Sequence, residues 1–559
     1  MLKSSVSLLV LSLLAPVAAP VAALAQAAPA FDIARVSKDV QTLSSDAYEG
    51  RGPATPAEVK TVAYIVAQMK AAGLQPGGPL KGKTRGWTQD VPLLKSDIVG
   101  TPAVSLSIGG TARPLTQGDQ IAIRAAMTGQ TAVHIAAAPL VFVGYGVHAP
   151  ERNWDDFKGV DLKGKIMVVL VNDPDFEAGP GPAEGDFGGK AMTYYGRWTY
   201  KYEEAARQGA AGVLVVHEYA PASYGWPTVK NSNTNTMFDI VRKDPTASHT
   251  AMEGWIQRDL AVDLFKAAGM DFDAMKARAR TKAFKPVPLN ATLTADYAVK
   301  ADTIVSKNIV GRLPGKTHPD ETVIYSAHWD HLGIGQPDAK GDRIYNGARD
   351  NASGIATLLE LGRAFAKAPR TDRSVVFLAV TAEEKGLLGS EYYAANPVYP
   401  LATTAGVLNM DGTIGASAAK DFTISGVAKL GLLDMLVEQG AKLNRRYSPD
   451  PRTEAGSFYR SDHFPMAKVG VPAISYGAGR DLVEGGIERG KALSDAFTKD
   501  RYHQPADEWS ADWDMSAVTP DLTLLYNTGR ALADSRSWPD WSADSEFRAV
   551  RDRTDSERK

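Results

Sequence analysis

Three short polar motifs stand at the carboxyl ends of three apolar runs: Ala327-His328-Trp329-Asp330-His331, Thr381-Ala382-Glu383-Glu384 and Asn409-Met410-Asp411. Between the first two lies Asn346-Gly347-Ala348-Arg349-Asp350-Asn351-Ala352-Ser353-Gly354, and far downstream comes Tyr502-His503-Gln504-Pro505-Ala506-Asp507. Imidazole nitrogens and carboxylate oxygens suit a divalent cation, zinc above all, and a catalytic site must leave one coordination position open. Two such ions can share a bridging carboxylate and a bridging water, one polarising a scissile carbonyl while the pair lowers the water's pKa. A general base must then sit beside that water. The doubled acid Glu383-Glu384 fits this division of labour, one carboxylate bound and one free. Asp330, two residues beyond His328, is placed to accept the imidazole's second N–H and fix its tautomer. Each motif is common alone; their coincidence at strand ends points to a site.

The elements that must position these residues read as an alternation of strand and helix. Strands are predicted over 322–327, 374–380 and 405–410, with helices over 354–367 and 386–396. That order implies an α/β fold with a mainly parallel, helix-flanked sheet. Upstream, Thr55-Pro56-Ala57-Glu58 reads as a capped helix start, with Val59, Val62, Val66 and Met69 on one face and Gly73 closing it. The preceding Tyr48–Gly52 reads as a loop. From about 139 to 295 the texture changes to a separate β-rich unit, with strands over 140–147 and 165–171 and a helix running into a strand over 202–216. The aromatic run from Met192 to Tyr202 fits core packing or a cleft wall. The expected organisation is 1–25 leader, 26–138 and 296–535 two parts of one catalytic domain, 139–295 insert, and 536–559 a charged, solvated tail.

Composition narrows the chemistry. The 559 residues are 44% hydrophobic and 23% charged, and Lys plus Arg (62) nearly balance Asp plus Glu (64). A net charge of −2 carries no electrostatic footprint for nucleic acid. With no cysteine among them, thiol nucleophiles, disulfides and Cys-ligated zinc are excluded, so any metal is held by His and carboxylates. The start, Met1-Leu2-Lys3 followed by an apolar run and Ala23-Leu24-Ala25, reads as a signal peptide, and no other run is long enough to span a bilayer. A secreted or periplasmic protein is expected, without membrane insertion after cleavage.

The motifs Ser326–His331, Ala348–Gly354, Ala382–Ser390, Asn409–Asp411, Arg460–His463 and Tyr502-His503 together resemble the exported co-catalytic zinc aminopeptidases, a group that includes bacterial leucyl-type enzymes and relatives of transferrin-receptor-like fold. The resemblance implies the zinc exopeptidase fold and two zinc ions: His328 and Asp411 on one, Glu384 and His503 on the other, and Asp350 bridging both. It implies Glu383 as general base and acid, Tyr502 as a hydrogen-bond donor to the tetrahedral oxyanion, worth about 3 kcal/mol, and Arg460 as a substrate-holding residue. In relatives the peptide bond after the bridging aspartate is often cis, here Asp350-Asn351. The 139–295 insert resembles a protease-associated domain. Arg349 departs from the pattern, since small or acidic residues commonly precede the bridging aspartate; it is expected to point away from the metals. His331 and His463 are expected to be hydrogen-bonded structure around the site rather than ligands.

The function implied is that of a metal-dependent exopeptidase, an aminopeptidase acting on peptide substrates through a two-zinc bridged hydroxide. A carboxypeptidase or dipeptidase on the same site, a single-zinc glutaminyl cyclase and a metal-free binding ectodomain remain as alternatives.

Overall fold

A computed structural model describes residues 29–177, 186–335, 337–413 and 417–558. The leader read from the sequence at 1–25 lies outside the described residues. No helix among them is long and apolar enough to cross a membrane.

The chain opens with α1 (Ile33–Leu43) and α2 (Pro56–Ala71). Pro56 takes the first helical position, where its missing N–H costs nothing, and Gly73 follows at φ +85°. The expected reciprocal cap does not form: Glu58 turns back to the N–H of Ala54 and the hydroxyl of Ser306. The buried face is Ala57, Thr61, Ile65 and Met69; of the four predicted positions Met69 lies in the core, Val62 and Val66 pack against its edge, and Val59 is exposed. The stretch before α2 opens with a turn at Asp46 and then leaves helical geometry, since Glu49, Gly50 and Arg51 all adopt positive φ, so the loop read over 48–52 stands.

The C-terminal half is built on β7 (Val287–Leu313), β8 (His318–His328), β9 (Arg373–Val380), β10 (Thr404–Met410), β11 (Asp421–Ile424) and β12 (Ala473–Ala478). Their spatial order is β11-β12-β10-β8-β9-β7. The four central strands β12, β10, β8 and β9 are parallel, and antiparallel partners close both sides. The parallel strands are buried along nearly their whole length because helices cover both faces. The helix α4 (Ser353–Lys367) is buried all round from Ser353 to Phe365, wider than the single apolar stripe read from its sequence. Its Glu360 and Arg363 enter the core only with partners, Arg35 at 2.7 Å and Asp39 at 2.8 Å.

The β-rich unit runs β1 (Thr88–Ile108), β2 (Ile121–Ile123), β3 (Ala132–Phe142), β4 (Ile166–Leu170), α3 (Trp198–Arg207), β5 (Gly212–His217) and β6 (Met252–Gln257). Strands β3, β4, β5 and β6 are parallel, and apolar clusters fill both faces of the sheet. Predicted strand 140–147 stops at Phe142, since Gly144 and Gly146 both adopt positive φ and turn the chain. Strands β1 and β2, which precede position 139, pair into the same sheet.

One strand joins the two halves. The 27-residue β7 pairs with β9 through Ile309–Leu313, with β3 through its first half, and with β1 almost end to end. The expectation of a solvated tail after 536 is overturned: Trp541, Phe547 and Arg551 are buried, and the Trp541 indole donates to the carbonyl of Gly470. Apolar residues spaced through a charged segment decide its fate. The remaining helices needed below are α5 (Leu388–Ala395), α6 (His463–Lys468) and α7 (Gly486–Asp500).

Candidate metal centre and cleft

His328 ends β8, Asp411 follows the last residue of β10, and Glu383-Glu384 form a tight turn just beyond β9. Parallel neighbours thus deliver three motifs to one sheet edge. Asp350 arrives in the irregular turn Ala348–Ala352 that leads into α4, and its peptide bond to Asn351 is cis. His503 approaches from the segment after α7, with φ +57°.

The two oxygens of Asp350 face different partners. Oδ1 lies 3.3 Å from His328 Nε2, which is also 3.3 Å from Asp411 Oδ1. Oδ2 lies 3.2 Å from His503 Nε2, which is 3.1 Å from Glu384 Oε2. Ligand atoms about 2.0–2.1 Å from a tetrahedral zinc are themselves about 3.3 Å apart, so both groups have the edge length such an ion requires. The five predicted ligands are therefore brought together, with Asp350 in the shared position.

Electrostatics points the same way. Four carboxylates, Asp350, Glu383, Glu384 and Asp411, crowd one partly enclosed cluster that demands positive charge. Burial disfavours charge on His328 and His503, yet the facing carboxylates prevail and push His328 well up and His503 up to about 10. Burial likewise opposes ionisation of Glu384 and Asp350, but the histidines hold both well below the usual carboxylate range. Glu383 differs. Burial and then the charges of Glu384, Asp411 and Asp462 outweigh His328 and raise it well above that range, and its Oε2 sits 4.0 Å from His328 Nε2. A carboxyl raised by burial and by ionised neighbours is suited to carrying a proton.

The supporting residues differ in part from those read in the sequence. The carboxylate of Asp330 does not hold His328, whose Nδ1 is 3.8 Å from Oδ1 and instead meets the Asp330 backbone carbonyl at 3.2 Å. The carboxylate accepts the backbone N–H groups of Glu383 at 3.1 Å and Glu384 at 3.4 Å, so it anchors the acid turn. His331 lies in hydrogen-bonded contact with Glu384, Nδ1 to Oε1 at 2.7 Å. His463 does not belong to a hydrogen-bonded shell: it packs edge-on against Phe458, neither ring nitrogen has a partner among the described residues, and burial pulls it down to about 3. The Arg349 guanidinium lies 4.3 Å over the ring of Phe497, and the residue lines a small cavity together with Asp350, Glu383 and Asp411.

Four positioning residues escaped the sequence reading. Arg51 is fully buried and donates to the carbonyls of Leu43, Trp329, Asn346 and Gly347 at 2.6–2.8 Å, clamping the end of β8 to the Asp350 turn. Asp507 accepts the backbone N–H groups of Arg349 and Asp350, the latter at 3.0 Å; its place in the Tyr502–Asp507 motif was the available signal. Asn351 donates to the Met410 carbonyl and accepts from Gly354 and Gly412, tying the turn to β10. Ser461 donates to Asp411 Oδ2 at 2.8 Å and receives Asn409, which in turn receives Ser326. Two glycines are obligatory here: a Cβ on Gly354 would lie 2.2 Å from Asn351 Oδ1, and one on Gly347 2.2 Å from the Asp350 carbonyl.

A cleft cavity of about 390 Å³ opens beside Glu383, Glu384, Tyr502 and His503. Tyr502, an exposed residue, stacks on His503 with ring centroids 3.9 Å apart, and partial desolvation followed by the charges of Asp350 and Glu384 pushes its phenol well up. Arg460 is exposed on the cavity wall. The aromatic run serves both expected roles: Tyr195, Tyr200 and Tyr202 are buried in the β-rich unit, while Trp198 lines the cleft.

Residues 308–526 match the family model described as Peptidase family M28. A protein named "Probable zinc metalloprotease" from Phaeosphaeria nodorum is 36% identical over 127 residues, 21% of this chain and 25% of its own length. One of the same name from Pyrenophora tritici-repentis is 29% identical over 228 residues, 34% of this chain and 46% of its own. The chain spans about a quarter of the length of the first curated relatives it matches. Among solved structures it is similar to the aminopeptidase from Aneurinibacillus sp. strain AM-1, with a TM-score of 0.47, 20% identity, and 90% and 94% of the two chains covered. The zinc aminopeptidase BSAP from Bacillus subtilis aligns at a TM-score of 0.41 and 18% identity, over 90% and 96%.

Proposed function

We propose that the protein is an exported zinc exopeptidase, an aminopeptidase that removes residues from the N-termini of peptides. One observation carries the reading: the two oxygens of Asp350 each face a separate histidine–carboxylate pair at tetrahedral edge length. His328 and Asp411 would hold one zinc and Glu384 and His503 a second, with Asp350 between. Bound zinc supplies polarisation of the scissile carbonyl and acidifies the attacking water.

The chain's own groups do the rest. Glu383 takes the proton from the attacking water and returns it to the leaving amine. The Tyr502 hydroxyl donates to the oxygen of the reacting carbonyl as negative charge grows there. Asp330 fixes the Glu383-Glu384 turn, and Arg460 steadies the substrate. Carboxylates facing the cleft recognise the free α-amino group, which selects chain ends. Similarity to relatives named zinc metalloproteases supports the metal, and the paired groups around Asp350 favour two ions over the single ion of a cyclase.

The test is zinc content by elemental analysis together with hydrolysis of aminoacyl, N-acetylated and carboxyl-terminal peptides, with and without chelator. About two zinc per chain and cleavage confined to free N-termini are expected. Cleavage of N-acetylated peptides from the carboxyl end would overturn the aminopeptidase assignment. N-terminal sequencing of the exported protein tests the leader, with a start near Gln26 expected.

A further inference from the structure

The cleft beside Glu383 is walled by both halves of the molecule, and the β-rich unit contributes Arg197, Trp198 and Glu203. Most charges on that wall are already matched. Glu203 pairs with Lys468 at 2.8 Å, and Glu391 with Arg242 at 2.8 Å. Arg197 and Arg460 stand apart: neither side chain forms an ion pair among the described residues, and Arg197 Nε is shut off from solvent with no acceptor. They are also close enough to act on one another. After burial, the charge of Arg460 is the next influence on Arg197, and together they pull its guanidinium down to about 10.

Two unpaired guanidinium groups lining one partly desolvated cavity repel, and an orphaned buried donor adds its own penalty. An anion between them removes both costs, and the planar guanidinium fork matches a carboxylate in shape. The backbone adds to this. Arg197 is the N-cap of α3, no side chain caps the first turn, and Trp198 and Thr199 line the same cavity, so the positive end of the helix faces it as well.

We infer that Arg197 and Arg460 bind a carboxylate of the substrate, which makes Arg197, contributed by the β-rich unit, a specificity-determining residue. This rests on the peptidase reading for its reaction, though not for its binding chemistry. The carboxylate has two sources: an acidic side chain on the residue entering the cavity, or the terminal α-carboxylate of a short peptide.

Three probes separate them: Leu-Ala amide, which has no carboxylate, Glu-Ala amide, and Leu-Ala with a free terminus. Each is measured by kcat/KM on the zinc-loaded protein and by calorimetric binding to Glu383→Gln. One carboxylate-bearing probe is expected to exceed the neutral one by about 10- to 100-fold, the range for a charge-assisted bidentate pair. Preference for Glu-Ala amide assigns the side chain, and preference for Leu-Ala the α-carboxylate. In Arg197→Gln the ratio falls toward one, and Arg197→Lys restores part of it. Arg460→Gln, at an exposed position, must collapse the same ratio and serves if Arg197→Gln misfolds. Equal binding of all three probes to the unsubstituted wall, or a preference that survives both Gln variants, overturns the inference. If no probe is hydrolysed at all, the peptidase reading fails while the binding ratios still decide this one.

Discussion

The buried carboxylate of Asp507 receives the backbone N–H of Asp350 at 3.0 Å, so the residue that faces both histidines is aimed through its main chain. Asp507→Ala leaves that N–H and the one of Arg349 without an acceptor. The expected outcome is zinc affinity weakened about 10- to 100-fold, the usual effect of removing a group that orients a ligand. Competition with a chromophoric chelator measures it; unchanged affinity would refute the positioning role.

Glu383 and Glu384 are neighbours with opposite tasks, and substitution separates them. Glu383→Gln is expected to keep its zinc yet lose about 10²- to 10⁴-fold in kcat, the range for general acid–base catalysis. Glu384→Gln, which touches both His331 and His503, is expected to lose zinc. Elemental analysis of both variants beside turnover gives the answer.

Arg51 serves four carbonyls at once, which no other side chain can copy. Lysine keeps the charge but offers a compact ammonium instead of a planar fork. Arg51→Lys should destabilise the protein by about 2–4 kcal/mol, given ~1–3 kcal/mol per buried carbonyl left unserved. A Tm equal to that of the parent protein would show that the clamp is dispensable.

Away from the cleft, His249 lies 2.9 Å from both Asp239 and Glu253, and Arg242 and Arg124 complete the group. Burial opposes its charge, but the two carboxylates raise it to about 9. A folded-state pKa above the ordinary value of about 6.5 means stability that is full below pH 6.5 and lost as pH climbs through 9. At ~1.4 kcal/mol per pKa unit this is worth about 3 kcal/mol. His249→Gln should therefore melt well below the parent at pH 6 and close to it near pH 10. A gap that does not narrow with rising pH would contradict the ion-pair account.

Period and strand ends made the catalytic sheet legible: β8, β9 and β10 fall within a few residues of where apolar runs and their polar termini place them. The ligand groups were legible because parallel strands bring their carboxyl ends together. What escaped was what depends on packing from a distance. Nothing local marks Arg51, whose four acceptors lie on separate segments, or Arg197, whose neighbour Arg460 is far along the chain. Asp330 was read as a partner of the imidazole because spacing suggested it, whereas the nearby turn of Glu383 offered two N–H donors and won. On α2 only Val59 was misread, because it looks like core by type alone although the helix phase points it outward.

Strand β7 lies in the middle of one continuous sheet that runs through both halves, and that has a practical meaning for anyone wishing to dissect the protein. Cutting the chain on either side of it leaves one half with a bare row of N–H and C=O groups, an open template for aggregation. The two halves are thus not separable beads on a string. They share the hydrogen-bonded ladder of one sheet, so neither half keeps its edge covered without the other.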